Sequence, residues 1–163
     1  MHKITPHLWF DKEAREAAEL YTSIFKDSRI KNTTTLHNTP SGSVDLLTIE
    51  LLGQEFRLIS AGPLFKFTPA VSFLVACETK DEVDELWNEL SKGGSVLMEL
   101  GNYPFSERYG WTQDRYGLSW QVVPIVLPEL LADADTEKSG RVMTAMMQMK
   151  KLDIAELERA AES

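Results

Sequence analysis

Few side chains in this chain can carry acid–base, nucleophilic or metal chemistry. There are three histidines and one cysteine in 163 residues. A single thiol excludes an intramolecular disulfide framework and a thiolate zinc cluster within one chain. Three histidines also limit any imidazole-based metal centre. Cys77 closes the apolar run from Ala70 and reads as a buried small hydrophobe, because no histidine beside it would activate a thiolate. The nine glycines form no Gly-x-Gly pattern, and the only adjacent pair, Gly93-Gly94, falls at a helix end. A glycine-rich loop for a nucleotide-like cofactor is therefore missing. Seventeen basic against twenty-five acidic residues give a net charge of −8. An acidic chain with no basic run is a poor partner for a phosphate backbone, so nucleic acid is not expected.

The elements that must position any chemistry come in two similar sets. A β-type run, Thr5 to Phe10, precedes a helical run from Lys12 to Phe25. There Ala14, Ala17, Ala18, Tyr21, Ile24 and Phe25 share one face. A second β-type run, Val71 to Ala76, precedes a second helix from Thr79 to Lys92. Thr79 with Glu82 forms a capping-box pattern, and Gly93-Gly94 ends the helix. Three strands follow each helix: Arg29 to Leu36, Val44 to Leu51 and Gln54 to Ala61, then Ser95 to Leu100, Gly110 to Asp114 and Leu118 to Pro124. A shift of 66 pairs Leu8 with Leu74, Glu19 with Glu85, Leu20 with Leu86 and Tyr21 with Trp87. The chain thus reads as a duplicated βαβββ unit. The first module spans 1–62, a Gly- and Pro-bracketed linker 63–69, the second module 70–124 and a helical tail 125–163. In the tail, Ser139 and Asp153 are the expected N-caps of helices over 141–149 and 154–161.

The hydrophobic share of 43% and charged share of 26% are those of a soluble globular protein. No apolar run approaches the ~20 residues of a membrane span, and the N-terminus lacks the pattern of a secretory signal. A cytoplasmic protein without membrane association is the expectation.

A doubled βαβββ module of this size resembles the vicinal-oxygen-chelate superfamily of glyoxalase I, bleomycin-resistance proteins and extradiol dioxygenases. Within it the chain is similar to the PhnB-like branch, whose members often carry the label 3-demethylubiquinone-9 3-methyltransferase. The closer match rests on Ala14-x-x-Ala-x-x-x-Tyr-x-x-Ile-Phe25, Ser60-Ala-Gly-Pro63 with Phe65-Lys-Phe67, Tyr103-Pro-Phe-Ser106 with Gly110-Trp-x-Gln-Asp114, and Gly117-Leu-Ser-Trp-Gln121. The resemblance implies an α+β fold: two βαβββ modules forming curved mixed sheets around a cup, with C-terminal helices and homodimer assembly. Strand alternation would then turn Thr5, His7 and Trp9, with Arg57 and Ile59, toward the cup. Gln121 and Val123, with Val71, Phe73 and Val75, would do the same in the second half. The loop from Asn102 to Gly110 would either lie over the pocket mouth or use its aromatics for packing.

Metal-dependent members of the superfamily place a His or Glu on the first strand and a Glu on the last strand of each module. Here those places hold His7, Arg57 and Gln121, with only Val71 and Phe73 opposite. A guanidinium repels a cation, so no family-type metal and no cofactor are expected. The same residues suit a small-molecule pocket, with His7, Arg57 and Gln121 as orienting groups among Trp9, Phe73 and Trp111. Arg57 could take a carboxylate or phosphate, or be satisfied by an internal Asp or Glu. His7 could be a satisfied histidine or a general base; no catalytic residue is assigned. The leading expectation is a metal-free protein that binds a small aromatic or anionic organic molecule. The alternatives are an enzyme on a small organic substrate, among them the labelled methyltransferase or a metal-dependent lyase, isomerase or dioxygenase, and a non-catalytic structural dimer.

Overall fold

The protein is seen in a computed structural model that describes residues 4–149 and 153–162. It forms two compact units, Met1–Thr68 and Pro69–Ser163.

The first unit runs β1 (His7–Phe10), α1 (Ala14–Ile24), β2 (Arg29–Thr39), β3 (Gly42–Leu51) and β4 (Gln54–Ser60). Its sheet has the order β1-β4-β3-β2. β1 lies parallel to β4, and the other pairs are antiparallel. Helix α1 covers one face because its small apolar stripe allows close approach: Ala14, Ala17, Ala18 and Tyr21 are buried there. Leu8, Phe10, Leu47, Ile49, Leu51, Phe56 and Leu58 are buried strand residues of that core. The hairpin between β3 and β4 turns at Leu52 and Gly53, both with positive φ. The segment after β4 folds back on its own unit, where Phe65 packs edge-on to Trp9 and Phe67 to Phe10.

The second unit repeats this plan with β5 (Phe73–Cys77), α2 (Lys80–Ser91), β6 (Ser95–Tyr103), β7 (Ser106–Gln113) and β8 (Ser119–Pro124). The order β5-β8-β7-β6 again has one parallel pair, β5 with β8. Thr79 caps α2 by accepting from the Glu82 amide at 3.1 Å. The return arm of the expected capping box is displaced: the Glu82 carboxylate accepts from the Glu78 amide instead. Gly110 is required where it stands, since an added Cβ would fall 2.5 Å from the Trp87 ring. After β8 come α3 (Val126–Leu131), α4 (Thr136–Gln148) and α5 (Ile154–Glu162). They share a small core of Val142, Leu157 and Ala161, bordered by Leu130, Met146 and Met149.

Four expectations are corrected. The strand β5 is turned over relative to the shift of 66: Phe73 and Val75 pair with Trp120 and Val122, whose side chains are buried beneath α2. Phe73 contacts the Trp120 ring at 5.5 Å. It is Leu74 that stands beside Gln121, so Phe73 and Val75 face the helix and not the opposite face. The expected loop over 102–110 is a tight hairpin, because β6 runs on to Tyr103 and β7 begins at Ser106. Tyr103 and Phe105 stack at its tip, and both meet the Tyr109 ring edge-on. The cap of α4 is Asp135, which accepts from the Glu137 and Lys138 amides, whereas Ser139 lies inside the helix. Finally, the tail begins with a short helix, α3, that was not expected. Asp153 does cap α5, accepting from the Glu156 amide at 3.1 Å.

Candidate functional site

On the face of the first sheet away from α1, β1 contributes His7 and Trp9. Each meets its direct partner across the parallel ladder, Arg57 and Ile59 on β4. The antiparallel register continues the row into β3, placing Thr48 beside Arg57 and Leu46 beside Ile59. Side chains two residues apart on a strand point the same way, ~7 Å apart. The face therefore has an apolar end at Trp9 and Ile59 and a polar end at His7 and Arg57.

The apolar end opens into a cleft of about 700 Å³, lined by Trp9, Val44, Ile59, Pro40, Pro63 and Leu64 with the backbone around them. Among the described residues no charged one lines it. Its hydroxyls are already engaged. Thr39 donates to the Gly42 carbonyl at 2.7 Å, and Ser41 donates to the Ala61 carbonyl at 2.7 Å. The second bond ties the β2–β3 turn to the segment after β4. The Trp9 indole is fixed by its N–H to the Gly62 carbonyl at 2.8 Å and by the edge of Phe65. Val44, Pro40 and Leu64 were not anticipated from the sequence. Their segments, Thr39-Pro-Ser-Gly42 and Gly62-Pro-Leu64, carry only the signals of a turn and a linker.

The polar end is electrically organised. His7 is exposed, yet partial desolvation by the sheet, and then the Arg57 guanidinium beside it, lower its pKa below the ordinary histidine value. Both effects favour the neutral ring. Two residues from Arg57, the buried Glu55 is held below the usual carboxylate range, first by its hydrogen bond to Lys31 and in smaller part by Arg57. Lys31 bridges Glu55 at 3.1 Å and Glu50 at 3.5 Å, and Arg29 pairs with Glu50 at 2.7 Å. Two carboxylates placed opposite each other across β3 and β4 are thereby held by cations rather than left to repel.

In the second unit, Gln121 and Trp111 are cross-strand partners, but their polar atoms are internally engaged. Gln121 accepts from the Tyr109 hydroxyl at 2.7 Å and donates to Ser72 at 2.6 Å. Trp111 donates to Ser119 at 2.7 Å. Desolvation, and then Tyr103, raise the Tyr109 pKa. Tyr109 and Ser72 are partners that the sequence did not signal. His7, Trp9 and Arg57 thus share one face of the first sheet, Trp111 and Gln121 share one face of the second, and Phe73 lies on the opposite face of that second sheet. Cys77 is fully buried and burial pushes its thiol up to about 11, so it is no nucleophile at neutral pH.

The donor set does not suit a family-type metal. Among the described residues no three of His, Cys, Asp and Glu are grouped as metal ligands. On this face of the first sheet the His7 imidazole stands directly beside the Arg57 guanidinium, which opposes a cation. The Gln121 amide oxygen is already an acceptor for Tyr109. No step is routed through a metal here.

Comparison with known proteins agrees with the architecture. The sequence model of the family described as "3-demethylubiquinone-9 3-methyltransferase" matches residues 2–123. None of the curated proteins compared with the chain matches it. Among solved structures, the PhnB protein of Bacillus cereus is 41% identical with a TM-score of 0.70; the match covers 76% of this chain and 99% of that one. A glyoxylase/bleomycin resistance protein/dioxygenase domain from Frankia is 15% identical, TM-score 0.53, covering 76% and 92%. The fosfomycin resistance protein FosX of Listeria monocytogenes is 12% identical, TM-score 0.53, covering 76% and 94%. These last two show the fold alone. The chain belongs to the PhnB-like family described as 3-demethylubiquinone-9 3-methyltransferase, on the fold of the glyoxalase and bleomycin-resistance superfamily.

Proposed function

We propose that this protein binds a small organic molecule with an aromatic or other apolar body and an anionic end, and that it does so without a family-type metal. The observation that carries this reading is the cleft at Trp9: its described wall residues are uncharged, its hydroxyls are spent on the backbone, and a guanidinium stands on the same face one row away. Apolar walls with a few orienting polar groups are the usual construction of a small-molecule site. Arg57 suits a planar anion better than a lysine would, because its donors form a fixed fork.

Methyl transfer, which the family description names, is not part of this reading. Each sheet has four strands and one parallel pair, unlike the doubly wound sheet that usually receives adenosyl-methionine. Micromolar binding of adenosyl-methionine would overturn that judgement. Assembly as a cytoplasmic homodimer belongs to the same proposal, supported by exposed apolar side chains such as Leu74 and Phe105; a monomer in sedimentation at micromolar concentration would count against the dimer.

The test is a thermal-shift and calorimetric screen with benzoate, phenyl phosphate and benzyl alcohol. At least one of these is expected to raise the melting temperature of the wild type. Leu64→Asp at the cleft rim should weaken all binding, and Arg57→Gln should weaken only the anions, by about tenfold for a lost charged hydrogen bond. Stoichiometric metal in freshly purified protein, held by His7 and a carboxylate, would refute the reading.

A further inference from the structure

We infer that the anion taken by this face is a carboxylate bound between Arg57 and His7, and that its binding draws one proton from solvent onto the His7 ring. This rests on the small-molecule reading above and goes beyond it in naming the ligand's charged group and the state in which it is held.

Geometry comes first. His7 and Arg57 are direct partners in the parallel ladder, on strands ~4.8 Å apart. A carboxylate that reaches the guanidinium from the cleft side also reaches the imidazole. Among the described residues, the other charged groups on this face lie farther along the sheet: Glu55 on β4, Glu50 on β3, and Arg29 and Lys31 on β2. Helix α1 lies against the other face and sends no charge to His7. Along the sheet Arg29 and Lys31 pair with Glu50 and Glu55, and the flat fork of the Arg57 guanidinium matches the two coplanar oxygens of a carboxylate.

The proton follows from the same neighbours. In the free protein desolvation and then Arg57 favour the neutral form of the His7 ring. A bound carboxylate offsets the guanidinium and accepts a hydrogen bond from the ring, and both changes favour imidazolium. A group whose pKa rises on binding takes up a proton, and affinity then falls as pH rises through that range. The atoms balance simply: solvent supplies H⁺, the ring nitrogen that lacks a hydrogen gains it, and no bond of the ligand breaks.

Benzoate is the probe, because it stays ionised across the range and carries an aromatic body. Calorimetry on the full chain in two buffers of unlike ionisation enthalpy should show net proton uptake near neutral pH. Affinity should fall as pH rises through the range in which the bound ring titrates. Benzyl alcohol should bind with no pH dependence. In His7→Gln, benzoate binding should lose its pH dependence. Titration of the His7 ring by NMR in the wild type, with and without benzoate, gives the same answer without any variant: the midpoint should move upward. Benzoate binding without proton uptake or ring shift overturns this inference while leaving the small-molecule reading intact. Failure of both benzoate and benzyl alcohol to bind overturns the two together.

Discussion

Asp114 shows how much one side chain can hold. Its carboxylate is buried and accepts from the Tyr116 and Leu118 amides and from the Trp120 indole, all within 3.0 Å. It therefore shapes the turn that brings β8 back along β7. Asp114→Ala should lower stability by about 3 kcal/mol, as buried donors lose their acceptor; urea unfolding followed by tryptophan fluorescence measures it. Glu55 offers a test with a sign. Its pKa is lowered in the folded state, chiefly by Lys31. Its contribution is present above the unfolded carboxylate range and is lost as pH falls through the lower folded value. Wild type should therefore lose more stability on acidification below about pH 5 than Glu55→Gln, read as the shift in urea midpoint. At this scale the sequence was partly informative. His7, Trp9 and Arg57 could be placed on one face because Leu8, Phe10, Phe56 and Leu58 alternate with them and are buried. The cleft beside them could not, because the Ser41–Ala61 bond that closes its rim joins segments far apart in the chain.

Elements were legible where one period dominated. Both long helices of the repeat follow a single apolar stripe, and Thr79 marks the start of α2. β5 was misjudged because Val71 to Cys77 is apolar at almost every position, so alternation cannot say which side faces the helix. Only the partnership with buried Trp120 and Val122 decides it. The start of α4 was misplaced for a related reason. Its first turn, Thr-Glu-Lys-Ser, is polar and solvent-facing, so the helix begins before its apolar stripe does. The two assignments differ measurably. Asp135→Ala should cost the tail about 1 kcal/mol of helix stability, while Ser139→Ala, whose hydroxyl donates only to the Thr136 carbonyl, should change it little. Helical circular dichroism against urea distinguishes them.

At the scale of the molecule, the chain is a family fold with an addition. The family match ends at residue 123, and the Bacillus cereus relative is covered to 99% by only 76% of this chain. Helices α3, α4 and α5 pack on a core of their own. Deleting 125–163 should therefore leave both sheets folded. The far-UV signal should lose helix, while near-UV bands stay, since Trp9, Trp87, Trp111 and Trp120 all precede the cut. Collapse of the near-UV spectrum would show that the tail is needed by the sheets.

The parallel pairing of β1 with β4 also sets when the candidate site comes into being. β2, β3 and β4 join through tight hairpins, which form from local contacts. β1 must wait for β4, and the bond from Trp9 to Gly62 spans 53 residues. Closing a loop of that length is slow and costs chain entropy before contacts reward it. The polar end and the cleft are thus expected to assemble late in the folding of the first unit. A ligand bridging β1 and β4 acts after that step, so it should slow unfolding and leave the rate of folding nearly unchanged.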